Sequence, residues 1–230
     1  MKKLFKKIDF KTWILVIGAL YFVGTMLQNI LAVKTVGTET VSITDCGILV
    51  SWFVFACMDI ITELFGKGKA VVYFTIASIM NLITTGLLAL SMALPGTDAT
   101  MSEAFSTLFA TNWRIVISSV SAFWIGNYVN AFIMYIMKAR AKDKSNTFGY
   151  VARCIISSVL GQFVDNLLFY AMAFSPLGIP NTYELDWISI IQNVSITTLM
   201  EVVIESCFVP LSAIIVKSLK RIECLTPSEY

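Results

Sequence analysis

Six uninterrupted apolar stretches, near residues 12 to 33, 47 to 65, 70 to 94, 113 to 137, 148 to 174 and 187 to 216, dominate the chain. Each is long enough to cross a hydrocarbon core of ~30 Å as a helix, which takes about 20 residues. The runs are continuous rather than alternating, and a backbone in lipid must satisfy its own hydrogen bonds, so helices are expected and not a barrel. The fold class expected is an all-α integral membrane protein with six transmembrane helices, one domain over residues 1–230. The last two runs exceed the minimum and allow tilt. Pro210 inside the sixth predicts a kink, because it frees a carbonyl one turn earlier. The basic start followed by an apolar run imitates a signal peptide, but it has no small-residue cleavage site and five more runs follow, so it is expected to stay as the first helix.

Composition agrees: 57% of residues are hydrophobic and only 14% charged, with no histidine. A soluble domain carries charges on about a quarter of its positions. The absence of histidine removes the commonest general base and metal ligand, and with them the Ser-His and Cys-His nucleophile pairs. No catalytic role, metal or cofactor is expected. A formal charge of +2 is too small to suggest nucleic acid as a partner.

The placement of charge says more than its sum. Of the 17 basic residues, fourteen fall in four segments: Lys2 to Lys11, Lys67 with Lys69, Lys138 to Lys144, and Lys217 to Arg221. Cytoplasmic loops hold the excess of Lys and Arg, so both termini are expected in the cytoplasm. Arg153 lies one turn inside the fifth run on the same side, leaving Lys34 and Arg114 opposite. That opposite face is acidic, with Glu39, Asp45, Asp98, Glu103, Glu184 and Asp186. Between the third and fourth runs, Met101, Phe105, Leu108 and Phe109 recur at helical spacing, and Thr100 with Glu103 has the form of a capping box. A short helix on the outer surface is one reading and an ordinary loop the other. The five cysteines show no metal spacing and read as small apolar residues in helices. The Asn193 to Ser195 sequon falls inside a span and is discarded.

Five acids lie inside the runs: Asp59, Glu63, Asp165, Glu201 and Glu205. An ionisable residue at a helix centre costs about 2.5 to 3.5 kcal/mol on insertion scales, so such groups are rarely incidental. Asp59 and Glu63 are four apart and face the same way on a helix, as do Glu201 and Glu205. Amides accompany them: Gln28 and Asn29 in the first run, Asn81 in the third, Asn127 and Asn130 in the fourth, Gln162 and Asn166 in the fifth, and Asn193 in the sixth. Interhelical hydrogen bonding alone would explain the lone amides of the third and fourth runs. For the acids it is the weaker explanation, since the only basic residue expected inside the spans is Arg153. An excess of acceptors suits a cation, a proton or a neutral molecule with several N–H donors. Phe65 and Phe169, close to the acids in sequence, could stack on a planar ring, although core packing would account for either. The first three helices begin inside and the last three outside, which allows a 3+3 inverted repeat with a site between the halves.

These residues carry a resemblance. The stretch MDIITELFGKGKA (Met58 to Ala70) resembles the signature of the queuosine precursor transporter family, also called the vitamin uptake transporter family. QNILAVK (Gln28 to Lys34), GQFVDNLLFYAMAF (Gly161 to Phe174) and EVVIESCFVP (Glu201 to Pro210) resemble that family's helices one, five and six in order. The resemblance implies a bacterial inner-membrane importer of 7-deazaguanines, and by position it points to Asn29, Asp59, Glu63, Gln162, Asp165 and Glu205. Phe169 and Glu201 complete the expected substrate-binding set. At Glu201 the family pattern often has lysine, so the charge is reversed there. The partners expected are the bilayer and the deazaguanine, with a homodimer left open. The alternatives are the substrate-binding S component of an energy-coupling-factor importer, or a proton- or cation-coupled carrier of another nucleobase-like molecule. Gly18, Ala19 and Gly24 provide no pair of small residues four apart of the kind S components use for docking. An intramembrane aspartyl protease could use Asp59 and Asp165 but lacks the Gly-x-Gly-Asp context.

Overall fold

The computed structural model describes residues 10–32, 34–37, 42–109, 113–141, 146–176 and 184–225. The basic residues Lys2 to Lys7, Lys142 and Lys144, and the acidic Glu39, lie outside them. In chain order the elements are α1 (Phe10–Leu31), β1 (Thr35–Gly37), β2 (Ser42–Asp45), α2 (Ile48–Ala93), α3 (Ala99–Phe109), α4 (Trp113–Arg140), α5 (Thr147–Phe174) and α6 (Trp187–Leu225). All but α3 among these helices are long and apolar enough to cross a membrane.

The second and third expected spans are joined differently from the expectation. Rather than two helices with a loop, α2 is one element of 46 residues, interrupted only at Gly66, whose φ of 77° and ψ of 173° are non-helical. A straight helix of that length would reach roughly 69 Å, twice the hydrocarbon core. The break at Gly66 instead lets the two parts, about 18 and 27 residues, act as separate spans. A β-carbon at Gly66 would meet nothing within 4 Å, so its backbone conformation and not space demands glycine.

Burial is inverted relative to a soluble protein. Leu15, Leu49, Leu94, Leu199 and Ile214 are each about two-thirds exposed, as lipid-facing residues must be. Polar side chains instead fill the interior, among them Asn81, Asn127, Asn130, Ser157, Ser158 and Gln162, together with Asp59, Glu63, Glu201 and Glu205. The apolar core around Tyr21, Phe74, Met58 and Met134 packs beside them. Cys57 and Cys154 are buried in that core, whereas Cys207 is exposed and Cys46 sits in the turn before α2, not in a helix.

Helices α4 and α5 approach most closely where glycines meet. A β-carbon at Gly126 would fall 2.6 Å from Asp165 Cβ, and one at Gly161 would fall 2.7 Å from Asn130 Cβ, each also 3.0 Å from the other glycine's carbonyl oxygen. Small residues at a membrane crossing let backbones touch. Here they also set Asp165 and Asn130 flush against the facing helix. Arg114, at the start of α4, donates from Nε to the Met172 carbonyl (2.7 Å) and from its terminal nitrogen to that of Ser175, capping the end of α5.

The short helix α3 forms with none of its residues buried, as a surface helix should. Its cap is Asp98, whose carboxylate accepts from the Met101 N–H at 3.1 Å, in place of the expected Thr100 and Glu103 box. Ahead of α2, β1 and β2 pair antiparallel with Thr35 opposite Asp45 and Val36 opposite Thr44, a hairpin the apolar pattern did not reveal.

Candidate functional site

Three polar layers follow one another along the bundle axis. The first is a cavity of about 100 Å³ at the end that holds the hairpin, several times the roughly 10–15 Å³ one water needs on that measure. Its wall includes Asn29 of α1, Asp45 of β2, Asn81 of α2, and Asp165, Phe169 and Glu201 of α5 and α6. Asn29 donates to Asn81 Oδ1 at 2.7 Å, and Asn166 of α5 donates to Glu201 Oε2 at 2.8 Å and to Thr198 Oγ1 at 3.1 Å. None of the residues lining this cavity is Lys or Arg.

Asp45 is the site residue that sequence reasoning missed. Its carboxylate accepts the Gly47 N–H at 2.7 Å, turning the chain from the hairpin into α2. Only glycine fits at 47, because a β-carbon there would lie 2.9 Å from the Gln28 carbonyl oxygen and 2.7 Å from Asp45 Oδ1. This packing ties the end of α1 to the hairpin and points a third carboxylate at the cavity. Partial burial pushes the Asp45 carboxyl above its ordinary value of 3.8, against the lowering effect of the Gly47 N–H.

The second layer lies deeper. Asp59 Oδ1 accepts from Asn130 Nδ2 at 3.0 Å, while Glu205 accepts from Ser158 Oγ and Gln162 Nε2, both at 2.7 Å. Asp59 Oδ2, Asn127 Oδ1, Asn130 Oδ1 and Gln162 Oε1 are buried without hydrogen-bond partners. The layer is therefore rich in acceptors and short of donors.

The third layer corrects the expectation that the intramembrane acids lack basic partners. Glu63 is completely buried and faces three cations, Lys220 Nζ at 2.6 Å, Arg153 at 3.1 Å and Lys138 Nζ at 3.6 Å. The two lysines belong to segments counted as cytoplasmic, but their stems run inward along the helices and deliver the ammonium groups to a buried carboxylate. Phe65, two residues on, packs against Phe10 with ring centroids 5.9 Å apart and lies away from the cavity.

Of the eight expected site residues, the structure thus brings Asn29, Asp165, Phe169 and Glu201 to the cavity, sets Asp59, Gln162 and Glu205 beneath it, and holds Glu63 at the far end in an ion cluster.

A family model described as "Putative vitamin uptake transporter" matches residues 45–215. The chain belongs to the vitamin uptake transporter family. The queuosine precursor transporter is a member of the same family. The matched region holds every intramembrane carboxylate of this transporter and leaves α1, with Asn29, outside. No curated protein and no solved structure matches this vitamin uptake transporter. Family and fold together make it a multi-pass membrane protein of the transporter class.

Proposed function

We propose that this transporter imports 7-deazaguanines, the queuosine precursors, across a bacterial inner membrane by alternating access, its first and last three spans moving about the cavity. The observation that carries this reading is the cavity wall: three carboxylates, Asp45, Asp165 and Glu201, with several amides and no basic side chain. A deazaguanine presents adjacent ring N–H and amino donors that one carboxylate accepts bidentately, while an amide serves its carbonyl. Phe169 and Tyr170 on the same wall offer faces for a planar ring. The acceptor-rich layer around Asp59 and Glu205 continues the same chemistry toward the other end. In this reading the basic end of the bundle faces the cytoplasm and the cavity faces outward, the orientation that the excess of Lys and Arg at that end favours.

The test is thermal unfolding of the purified protein with a panel of 7-deazaguanines and guanine. A ligand that binds only the folded state raises the midpoint in proportion to the logarithm of its concentration above Kd. Stabilisation by a deazaguanine at concentrations where adenine and uracil have no effect supports the reading, and no shift with any deazaguanine overturns it. Uptake by the single purified chain in liposomes distinguishes a stand-alone carrier from a subunit that needs a partner.

A further inference from the structure

The polar contacts at the two ends of the bundle join different things. At the cavity, Asn29 bonds Asn81 within the first three spans and Asn166 bonds Glu201 and Thr198 within the last three, and the contact that crosses there is a neutral hydroxyl, Ser51 of α2, on Glu201. At the opposite end charged contacts cross between halves. Glu63 comes from the first half, and its three cations come from three different helices of the second: Lys138 near the end of α4, Arg153 in the second turn of α5, and Lys220 near the end of α6. Lys138 also donates to the Glu63 backbone carbonyl, at the turn where the break at Gly66 interrupts the regular helical ladder. One turn further, Lys67 sits over the rings of Tyr128 and Phe132 of α4, 5.2 and 5.0 Å from their centroids.

From this arrangement we infer that Glu63 with Lys138, Arg153 and Lys220 is a latch that holds the two halves shut at the basic end while the cavity at the other end is accessible. One carboxylate takes three cations out of three helices, so α4, α5 and α6 are held to α2 at a single point. Separating the halves there leaves Glu63 without its partners in a buried setting, which is costly unless water enters with the movement. The latch therefore favours the closed arrangement at this end, and the site can discharge toward it only when the cluster parts. Glu63, expected from sequence as a substrate ligand, is on this reading a positioning residue acting through helix association. The inference rests on the alternating-access reading of the transporter, but it does not depend on which substrate is carried.

Two native cysteines report on it. Cys154 follows Arg153 on α5, is fully buried, and lies against the Asp59 carboxylate and the Tyr150 hydroxyl where the halves meet. Cys57 is buried within the first half, near Tyr21 of α1. In detergent-purified full-length protein retaining only these two cysteines, the rate of maleimide modification is measured at each by peptide mass for the parent, Glu63→Gln and Lys220→Gln. Lys220 is more than a third exposed, so its substitution tests the cluster without emptying a buried site. The result expected is a severalfold faster modification of Cys154 in both variants with Cys57 unchanged. Unchanged Cys154 reactivity, or a rise at Cys154 only in step with Cys57 as global loosening would give, overturns the latch. No ligand enters this measurement, so its failure is distinct from a failure of deazaguanine binding.

Discussion

Asn130 of α4 and Asp59 of α2 meet across the boundary between the first and last three spans, amide nitrogen to carboxylate oxygen at 3.0 Å. Both are essentially inaccessible to solvent, and the other donor against the Asp59 carboxylate is the weak Cys154 thiol. The amide is thus the donor that offsets part of the cost of burying the acid. Asn130→Ala removes it and leaves a buried acceptor unpaired, a loss of about 1–3 kcal/mol. The thermal midpoint of the detergent-solubilised variant should fall accordingly, and an unchanged midpoint would show that the contact contributes nothing to folding.

Three glycines should respond to alanine for three different reasons. At Gly161 the new methyl would lie 2.7 Å from Asn130 Cβ and 3.0 Å from a backbone oxygen, so α4 and α5 must separate, with an overpacking cost of about 1–3 kcal/mol. At Gly66 there is open space, but φ of 77° with ψ of 173° is a region essentially reserved for glycine, and alanine there is strained by about 1–3 kcal/mol. At Gly86 the space is open and the backbone helical, so alanine should stabilise by about 0.5–1 kcal/mol. The unfolding midpoint should fall for Gly161→Ala and Gly66→Ala and rise for Gly86→Ala, and a fall at Gly86 or no change at either of the other two would contradict this assignment.

The spans were legible because a bilayer imposes one simple requirement, length of apolar helix, and α4 to α6 begin within a residue of the expected positions. The second turn was less so. Gly66 with Lys67 to Lys69 marks a boundary in the sequence, but nothing local says that the helix resumes immediately, since that depends on one glycine's backbone angles. For the site, helical spacing put Asp59 with Glu63 and Glu201 with Glu205 on common faces. It could not tell that residues one turn apart belong to different layers with different partners. Glu63 is the clearest case: its cations come from residues 75, 90 and 157 positions away in sequence, two of them from segments that hydropathy assigns to water. Asp45 was hidden for the converse reason. It lies outside every span and reaches the cavity only because the hairpin folds back on the bundle.

Asp45 should also set a pH dependence. Burial holds its proton more tightly in the folded chain than the ordinary value of 3.8, so the folded state binds more protons than the unfolded one between that value and the raised one. Stability then declines as pH rises through this window, because ionising the buried carboxyl costs more when folded. Asp45→Asn removes the titration. Its unfolding midpoint should change less than the parent's from pH 4 upward, and parallel curves for the two proteins would refute the assignment. A ligand that donates N–H groups to the ionised form should bind the parent more tightly as pH rises over the same range.

Glu201 provides the sharpest test of substrate chemistry. Asn166 holds one of its carboxylate oxygens at 2.8 Å, and the side chain forms part of the cavity wall. Glu201→Gln keeps the shape and an oxygen that Asn166 can still donate to, so the fold should survive. What is lost is the charge-assisted character of any bond to a ligand N–H, a difference of about 1–2 kcal/mol, or roughly 5- to 30-fold in Kd. Glu201→Lys goes further by putting a cation among Asp45, Asp165 and Asn166. A base bearing an amine, such as the aminomethyl precursor, is repelled by that cation, whereas the nitrile precursor offers an acceptor to it. Competing uptake of the two bases should therefore favour the aminomethyl form in the parent, weaken that preference in Glu201→Gln and reverse it in Glu201→Lys. If the ratio of uptake is the same in all three proteins, Glu201 does not read the substrate's charge.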